Sequence, residues 1–369
     1  MPNTPEKVIE ALRRITDPVS KKDLVRNDMI RDLNITDDTL SFTVIVSDPS
    51  STFAKELPLK AVETVKAEVG EDVKVQVHID TAMIGLGAEV IGGGKPKQHD
   101  FNGASVIAVA SGKGGVGKST VTVNLAVTLA KAGYSVGLID TDIYGPSIPT
   151  MFGVTEEKPR VNSDRKILPI EKAGVKLLSM GFLADPNQAM IWRGPMVSNA
   201  VRQFLGDAEW GDLDFLLLDL PPGTGDIQLT IVQTVALTGA IIVSTPQEVA
   251  LADARRGVAM FQNVKVPVLG IVENMAYFTP PELPEKKYHL FGEGGARRLA
   301  DTLDVPFLAE IPIEQALRES GDAGTPLMQG TADSESTRAF DLLAKQAILQ
   351  TALCKAKLPA QEQVEIVYR

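Results

Sequence analysis

The stretch Ala110–Thr120, with the sequence ASGKGGVGKST, decides the fold of this chain. Four of its residues satisfy the spacing G-x-x-x-x-G-K-[ST]: Gly112, Gly117, Lys118 and Ser119. In a loop with this spacing, backbone N–H groups and the lysine side chain hold the phosphates of a nucleotide. A second lysine, Lys113, lies inside the glycine run, where a chain that wraps a phosphate normally has small residues. The stretch therefore predicts a phosphate-binding loop with one more positive charge than phosphate binding needs.

The residues on both sides of the loop have the patterns that such a loop requires. Residues 105–110 (SVIAVA) are an apolar strand candidate, and residues 118–132 have the composition of a helix. This order aims backbone N–H groups and a helix N-terminus at the phosphates. We therefore expect Lys118 to reach the β- and γ-phosphates and the Ser119 hydroxyl to bind Mg²⁺. The predicted nucleotide-binding residues of the loop are Gly112, Lys113, Gly114, Gly115, Val116, Gly117, Lys118, Ser119 and Thr120.

Apolar strand candidates alternate with helix candidates from residue 104 onward. The predicted strands are 105–110, 134–140, 175–180, 215–220, 240–245, 267–272 and 307–312. The predicted helices are 118–132, 195–206, 226–237, 250–261, 294–303 and 334–353. Several strands are apolar almost throughout, which is typical of parallel strands that helices cover on both faces. The predicted fold class is α/β, with a doubly wound, mostly parallel sheet that binds ligands at the carboxyl ends of its strands.

The first 80 residues have a different pattern and predict a separate, small α/β domain. Apolar residues have helical spacing at 8–15 and 57–69, and strand candidates occur at 41–47 and 73–79. A glycine-rich stretch with one proline follows and is typical of a linker. The predicted organisation is an N-terminal domain, a linker, a main domain and a C-terminal tail, at 1–80, 81–103, 104–353 and 354–369.

Composition and charge exclude several classes of protein. The chain has 369 residues and a formal net charge of -10, whereas a general nucleic-acid binder needs a basic surface. No apolar run approaches the roughly 18 residues of a membrane helix, and the N-terminus lacks the apolar core of a secretion signal. We therefore expect a cytoplasmic protein without nucleic-acid or membrane partners. The single cysteine, Cys354, excludes a disulfide within the chain and a Cys-x-x-Cys metal site.

Acidic residues follow two of the predicted strands. Phe215-Leu-Leu-Leu-Asp219 is an apolar strand that ends in a carboxylate, as expected for an element that supports a phosphate-bound Mg²⁺. The strand 134–140 ends in Asp140, and Asp142 follows two residues later. In an extended chain these two side chains point the same way. Beside the phosphate loop, we expect one of them to act near the metal and the other to orient water.

Several segments together resemble one family of nucleotide-dependent proteins. Lys113–Thr120 (KGGVGKST) resembles the variant phosphate loop of the dimeric ATPases that include Mrp/ApbC, MinD, ParA and the nitrogenase iron protein. Four segments resemble the Mrp/ApbC branch in particular, namely 139–153, 191–196, 217–226 and 272–278. Residues 1–80 are similar to the small domain that is often fused to this branch. The resemblance covers nearly the whole chain and implies a P-loop NTPase fold.

The resemblance implies three catalytic residues. Lys113 matches the signature lysine that, in such proteins, crosses a face-to-face homodimer to the nucleotide of the other subunit. There its charge stabilises the negative charge that spreads over the γ-phosphoryl oxygens in the transition state. By the same matching, Lys118 contacts the phosphates and Asp142 orients the attacking water.

The resemblance also implies a metal site and a base contact. The residues expected at Mg²⁺ are Ser119, Asp140 and Asp219. Asn274, within the Glu-Asn-Met segment, is expected to face the adenine. Because the guanine-reading N-K-x-D pattern is not evident after the strand 267–272, the expected nucleotide is ATP rather than GTP.

The Mrp/ApbC proteins are regarded as iron–sulfur cluster carriers, and this sequence departs from their pattern at two places. Their small N-terminal domain often has a cysteine after its first long strand, where this chain has residues 48–52 (DPSST). Many have Cys-x-x-Cys shortly after the Glu-Asn-Met segment, and their dimer holds a four-iron cluster between two such pairs. Here residues 278–291 (FTPPELPEKKYHLF) contain no cysteine. A cluster usually needs four thiolates, and Cys354, which is interpreted as structural, supplies two in a dimer. The iron–sulfur ligands are therefore unknown, and a carried cluster requires ligands from a partner or from small thiols.

Three functions are compatible with these residues. The first is an ATP-hydrolysing homodimer that delivers iron–sulfur clusters, with apoprotein clients or cluster-assembly proteins as partners. The second is a nucleotide-switched adaptor that recruits clients through its N-terminal domain without a metal. The third is a positioning or partition ATPase on membrane or DNA, for which residues 357–369 have neither a basic run nor a long apolar stripe.

Overall fold

The computed structural model describes residues 5–18, 21, 23–25, 29–36, 39–46, 51–70, 73–81, 104–183 and 194–357. The chain divides into two compact units, Met1–Lys95 and Pro96–Arg369. Several predicted features fall wholly or partly outside the described residues, including residue 47 of the predicted strand 41–47 and parts of the predicted domain 1–80. Three others lie in the second half of the smaller unit or in the larger unit. These are the linker after residue 81, residues 191–193 of the segment 191–196, and residues 358–369 of the tail.

The smaller unit has a three-stranded sheet and two helices among its described residues. Its elements are α1 (Pro5–Leu12), β1 (Ile30–Ile35), β2 (Thr39–Val46), α2 (Thr52–Val69) and β3 (Lys74–Thr81). The central strand β2 is antiparallel to β1 and parallel to β3. Leu12, Phe42 and Leu57 join α1, β2 and α2 in one apolar core. The small α/β domain that the sequence predicted is confirmed.

Strand β1 is the element of this unit that periodicity does not predict. Its sequence, IRDLNI, lacks the alternation of a half-buried strand. The pairing of β1 with β2 shifts register between Arg31 and Asn34. A bulge of this kind breaks the two-residue period on which strand prediction depends.

The larger unit contains most of the chain. Its strands are β4 (Ser105–Ala110), β5 (Val136–Asp140), β6 (Arg160–Val161), β7 (Ile167–Leu168), β8 (Ile170–Lys172), β9 (Val175–Ser179), β10 (Phe215–Asp219), β11 (Gly239–Ser244), β12 (Val268–Phe278) and β13 (Phe307–Ile313). Its α-helices are α3 (Lys118–Lys131), α4 (Ile148–Met151), α5 (Gly194–Gly206), α6 (Asp226–Thr234), α7 (Glu248–Asn263), α8 (Gly295–Leu303), α9 (Gln315–Asp322) and α10 (Glu335–Lys357).

Eight of these strands form one sheet in the order β13-β12-β11-β4-β10-β5-β9-β8. Neighbouring strands are parallel except for β8, which is antiparallel to β9. Every residue of β4, β5, β10 and β11 is buried. Full burial explains why these strands are apolar except at their ends instead of alternating. The doubly wound, mostly parallel sheet that the sequence predicted is confirmed.

Two elements of this unit continue past their predicted ends. The predicted strand 267–272 extends to Phe278 as β12, so Glu273 and Asn274 lie within a strand. The predicted helix 334–353 extends to Lys357 as α10. Cys354 is therefore part of this helix instead of the first residue of a tail, and it packs half-buried against the core.

We expect the substitution Gly324→Ala to lower the free energy of unfolding by about 1–3 kcal/mol. Gly324 has φ +68, and a Cβ there would lie 2.5 Å from the Cα of Gly153, where only backbone is available to move. Gly321→Ala is the matched control, because Gly321 lies in α9 with no atom within 4 Å of its Cβ position. The control should gain about 0.5–1 kcal/mol of helix propensity. Urea unfolding measures both, and equal stability of Gly324→Ala and the unsubstituted protein would contradict the close approach.

Candidate phosphate-binding site

The site lies where three central parallel strands end side by side. In the register of the sheet, Asp219 of β10 pairs with Val109 of β4 on one side and with Asp140 of β5 on the other. The loops that follow these strands are joined by backbone hydrogen bonds. Thr141 N–H donates to the Asp219 carbonyl at 3.0 Å, and Gly223 N–H donates to the Ser111 carbonyl at 2.9 Å. The carboxyl edge of the sheet therefore holds the phosphate loop and both acidic segments together.

Asp219 is the centre of the hydrogen-bond network in this site. Its carboxylate accepts hydrogen bonds from Lys118 Nζ at 2.7 Å, from Ser119 Oγ at 2.6 Å and from Thr122 Oγ1 at 2.7 Å. Asp219 is fully buried, and Lys118 is only 6% exposed. A buried charge is stable only when it is paired and its remaining polar atoms have partners. The three donors from α3 meet that requirement for Asp219.

Thr122 is a member of this network that the sequence reasoning missed. It follows Lys118 by four residues, so both side chains lie on the same face of α3. Its hydroxyl donates to Asp219 Oδ1, while Lys118 Nζ and Ser119 Oγ contact Oδ2. The spacing of four residues from Lys118, the lysine of the phosphate-loop motif, is the signal that would have identified Thr122.

The two carboxylates that follow β5 have different surroundings. Asp142 lines the cavity beside the phosphate loop, and its Oδ1 accepts a hydrogen bond from Gly145 N–H at 3.3 Å. Asp140 is fully buried, and its carboxyl group accepts hydrogen bonds from Ser179 Oγ at 2.9 Å and from Asp142 N–H at 3.0 Å. Ser179, at the end of the adjacent strand β9, is a second residue that the sequence reasoning missed.

Burial changes the proton affinity of both carboxylates. Burial raises the pKa of Asp140 to about 8, the negative charge of Asp219 adds to this rise, and the positive charge of Lys118 opposes it. The pKa of Asp142 is also raised by burial, again against the effect of Lys118. Desolvation disfavours a charged carboxylate because the low-dielectric interior does not replace its hydration. Asp140 is therefore largely protonated at neutral pH.

A cavity of about 240 Å³ lies against the phosphate loop. Its wall contains seven of the predicted loop residues together with Asp142, and these seven are Gly114, Gly115, Val116, Gly117, Lys118, Ser119 and Thr120. Pro222, from the loop after β10, also lines the cavity, and its Cγ would lie 3.9 Å from a Cβ at Gly114. The predicted residues of the phosphate loop are thus largely assembled around one space.

Two residues of the predicted loop do not belong to the described wall of this cavity. Gly112 lies against α7, since a Cβ there would be 2.2 Å from the backbone carbon of Asp253. Lys113 is half-buried, and its backbone carbonyl accepts a hydrogen bond from Ser111 Oγ at 2.9 Å. The backbone of Lys113 is therefore held in place, while its side chain does not line the cavity of its own chain.

Asn274 contacts the phosphate loop itself. Its Nδ2 donates a hydrogen bond to the Val116 carbonyl at 2.9 Å, and the residue is 4% exposed. Asn274 is not among the residues that line the cavity. The contact with adenine that the sequence implied for Asn274 stays a prediction.

The described residues hold no cluster of three or more His, Cys, Asp or Glu side chains suited to a metal ion. The segment between β12 and α8, residues 279–294, replaces the Cys-x-x-Cys position and is exposed from residue 281 to residue 293. Within it Tyr288 pairs with Phe278 through two backbone hydrogen bonds, and His289 Nδ1 lies 3.2 Å from the Ala276 carbonyl. The geometry supplies no candidate set of iron ligands within the described chain.

Comparison with known proteins places the larger unit in a family. Residues 102–348 match the family described as NUBPL iron-transfer P-loop NTPase. The chain belongs to this family. Residues 5–78 match a second family, described as iron–sulfur cluster assembly protein. The family membership confirms the resemblance to Mrp/ApbC-like P-loop proteins that the motifs indicated, and it confirms the P-loop NTPase class.

Relatives in this family are similar over almost the whole chain. A protein of Synechocystis sp. named iron–sulfur cluster carrier protein is 46% identical, and the alignment covers 93% of this chain and 96% of that protein. A protein of the same name from Deinococcus radiodurans is 41% identical over 96% of this chain and 98% of its own length. The solved structure of a nucleotide-binding protein from Archaeoglobus fulgidus, in complex with ADP, is 45% identical. It has a TM-score of 0.54 and covers 60% of this chain and 86% of its own.

Within the described residues, every helix is too short or too polar to cross a bilayer.

We expect Asp140→Asn to stabilise the nucleotide-free protein increasingly as pH rises. Between the ordinary carboxyl pKa of 3.8 and the raised value of about 8, the unfolded chain releases a proton that folded Asp140 retains. The stability of the unsubstituted protein therefore falls with rising pH across this window. Asparagine does not titrate, so the advantage of the variant should reach about 1 kcal/mol or more at pH 8.

Urea unfolding at pH 5, 6, 7 and 8 measures this difference. Asp164→Asn, at an exposed aspartate of the same unit, controls for the loss of one negative charge. Stability differences that stay constant with pH for Asp140→Asn would contradict the raised pKa.

Proposed function

We propose that this protein is an ATPase that acts as a homodimer and delivers iron–sulfur clusters to apoprotein clients. The observation that carries the proposal is the convergence of Lys118, Ser119 and Thr122 on Asp219 beside the phosphate loop, in a chain of the iron-transfer family. Relatives named iron–sulfur cluster carrier proteins align with more than nine-tenths of the chain. A location in the cytoplasm stays a prediction.

In the proposed mechanism, the loop binds the phosphates of ATP. Lys118 and the N-terminus of α3 offer positive charge to the β- and γ-phosphates. Ser119 Oγ and Asp219 Oδ2 lie 2.6 Å apart, so two hard oxygen donors are already adjacent. Oxygen donors of this kind suit Mg²⁺, and bound Mg²⁺ would neutralise charge on the phosphates. Asp140, at the end of the adjacent strand β5, would change the negative charge near the metal when it gains or loses its proton.

Asp142 is the proposed residue that orients the attacking water. It lines the cavity, and its Oδ1 is held by Gly145 N–H. Burial raises its pKa, which makes its carboxylate a better proton acceptor than an exposed aspartate. A carboxylate that is fixed in this way can accept a hydrogen bond from water next to the γ-phosphate.

Lys113 is proposed to act on the nucleotide of the other subunit. Its backbone is anchored by Ser111, whereas its side chain does not line the cavity of its own chain. A lysine supplied in trans stabilises the charge that develops on the γ-phosphoryl group, as an arginine finger does. This role answers why a phosphate-binding loop contains a second lysine.

We expect Lys113→Glu to abolish turnover while ATP still binds. Loss of a trans-acting cation lowers kcat by about 1000-fold or more, whereas the remaining loop residues still contact the phosphates. Phosphate release measures turnover, and titration calorimetry measures binding. Lys158→Glu, at an exposed lysine, is the charge-matched control and should keep both properties. Normal turnover of Lys113→Glu would refute the role of Lys113.

The iron–sulfur cluster is the proposed cargo of the protein, and some of its ligands come from outside the chain. Cys354 packs against the core from α10, and it is the single cysteine of the sequence. Two subunits supply two thiolates, fewer than the four that a cluster usually has. We therefore expect small thiols or a partner protein to complete the ligation.

Anaerobic reconstitution with iron, sulfide and glutathione tests this cargo. We expect iron and acid-labile sulfide to bind, and the cluster to pass to an apoprotein, in both the unsubstituted protein and Cys354→Ser. Omission of glutathione should reduce the cluster content strongly. Absence of a chromophore and of transfer, even with glutathione, would remove the carrier part of the proposal and leave the ATPase part intact.

The second candidate function is a nucleotide-switched adaptor without a metal. It is favoured by the lack of a metal-ligand cluster in the described residues and by the exposed segment 281–293, which carries Leu283, Tyr288, Leu290 and Phe291 on its surface. Client capture by iron-free protein, with a response to nucleotide, would favour the adaptor. Client capture that requires a bound cluster would favour the carrier.

A further inference from the structure

The contact between Asn274 and the phosphate loop is made from an irregular part of strand β12. Asn274 lies in β12, 158 residues after Val116 in the sequence, and its Nδ2 lies 2.9 Å from the Val116 carbonyl oxygen. The pairing of β12 with β13 shifts register between Asn274 and Phe278. The next residue, Met275, has φ +54, a value that non-glycine residues seldom adopt. Backbone strain of this kind persists only when the surrounding structure enforces it.

The loop is fitted closely to the asparagine. Gly117 has φ +78, and a Cβ there would lie 2.2 Å from Asn274 Nδ2 and 3.7 Å from Met275 Cε. Glycine is therefore required at position 117 both by its backbone conformation and by its neighbour. Because Gly117 directly precedes Lys118, the contact is made at the point where the loop enters α3.

The peptide bond between Val116 and Gly117 links this contact to the direction of the Gly117 N–H group. The peptide unit is planar and trans, so its C=O and N–H groups point in opposite directions. Asn274, which binds the Val116 C=O group, does not line the cavity, and this indicates that the C=O group points away from the cavity. The Gly117 N–H group is thereby aimed at the other side, where Gly117 lines the cavity. Without the amide donor, rotation of this peptide would turn a carbonyl oxygen, rather than an N–H group, toward an anionic ligand.

We propose that Asn274 is a positioning residue for phosphate binding, which fixes the Val116–Gly117 peptide so that its N–H group faces the triphosphate. The proposal deepens the proposed function, since it assumes that the loop binds a nucleoside triphosphate. It differs from a role in reading adenine, because the hydrogen bond of the Asn274 side chain goes to the backbone of the phosphate loop. The part of the ligand that Asn274 affects, through the Val116–Gly117 peptide, is the polyphosphate chain.

Inorganic tripolyphosphate separates the two roles because it has no base. We expect Asn274→Ala to weaken the binding of both ATP and tripolyphosphate, each measured with Mg²⁺ by titration calorimetry. The expected loss is roughly tenfold for each ligand, as for one buried hydrogen bond. The ratio of the two dissociation constants should stay unchanged. Unchanged binding of tripolyphosphate by the folded variant would overturn the proposal, whatever happens to ATP.

Two further variants make the test independent of misfolding. Asn274→Asp keeps the size of the side chain and removes its N–H donors, so it should reproduce the loss seen with alanine. Glu273→Gln is the matched control: Glu273 is the preceding residue of β12 and is also buried, and its carboxylate accepts a hydrogen bond from Ala296 N–H at 2.6 Å. Glutamine retains an acceptor there, so tripolyphosphate binding should be normal.

The same titrations distinguish this inference from the proposed function. Binding of neither ATP nor tripolyphosphate by the unsubstituted protein would refute the proposed ATPase, and the positioning role with it. Binding of both ligands by the unsubstituted protein, with loss of ATP alone in Asn274→Ala and Asn274→Asp, would refute the positioning role and retain the ATPase.

Discussion

The buried pair of Lys118 and Asp219 is the interaction on which the rest of the site depends. Its Nζ–Oδ2 distance is 2.7 Å, and neither side chain has appreciable contact with solvent. Separation of such a pair leaves an uncompensated charge in a low-dielectric region. In the proposed function, an anionic phosphate competes with Asp219 for Lys118, and Mg²⁺ competes with Lys118 for Asp219. The two ligands therefore compensate each other's disruption of the pair, so each favours the binding of the other.

The balance of charge around this pair also accounts for the protonation of Asp140. Three carboxylates lie at or just after the ends of the neighbouring strands β5 and β10, namely those of Asp140, Asp142 and Asp219. Lys118 is the cation that lowers the pKa of both Asp140 and Asp142. Burial, together with the negative charge of Asp219, disfavours a second charge at this place, so Asp140 keeps its proton. A divalent cation on Asp219 would reverse the sign of the nearest charge and lower the pKa of Asp140. In the proposed function, metal binding at Asp219 would therefore promote proton release from Asp140.

The sequence predicted most of the fold and the identity of the loop, because both depend on local patterns. Continuous apolar strands, helical spacing and the glycine–lysine motif are read within about fifteen residues. It did not predict Ser179, whose link to Asp140 arises from the lateral order of β5 and β9 in the sheet. It implied a contact of Asn274 with adenine, which stays a prediction, and it did not predict the contact of Asn274 with Val116, which lies 158 residues earlier in the sequence. Strand order and bulges are tertiary properties that periodicity does not encode.

Strand β12 connects the phosphate loop to the segment in which this chain differs from cysteine-containing carriers. Adjacent residues of a strand point to opposite faces, and here Asn274 binds the phosphate loop while Glu273 binds the N-terminus of α8. The exposed segment 281–293 lies between β12 and α8, the two elements that these side chains connect to the phosphate loop and to each other. Loss of cysteines changes what that segment can bind, but it does not remove its attachment to the nucleotide site. A carrier with external thiolates and a metal-free adaptor would therefore use the same connection, and they differ in the chemistry of the segment's surface.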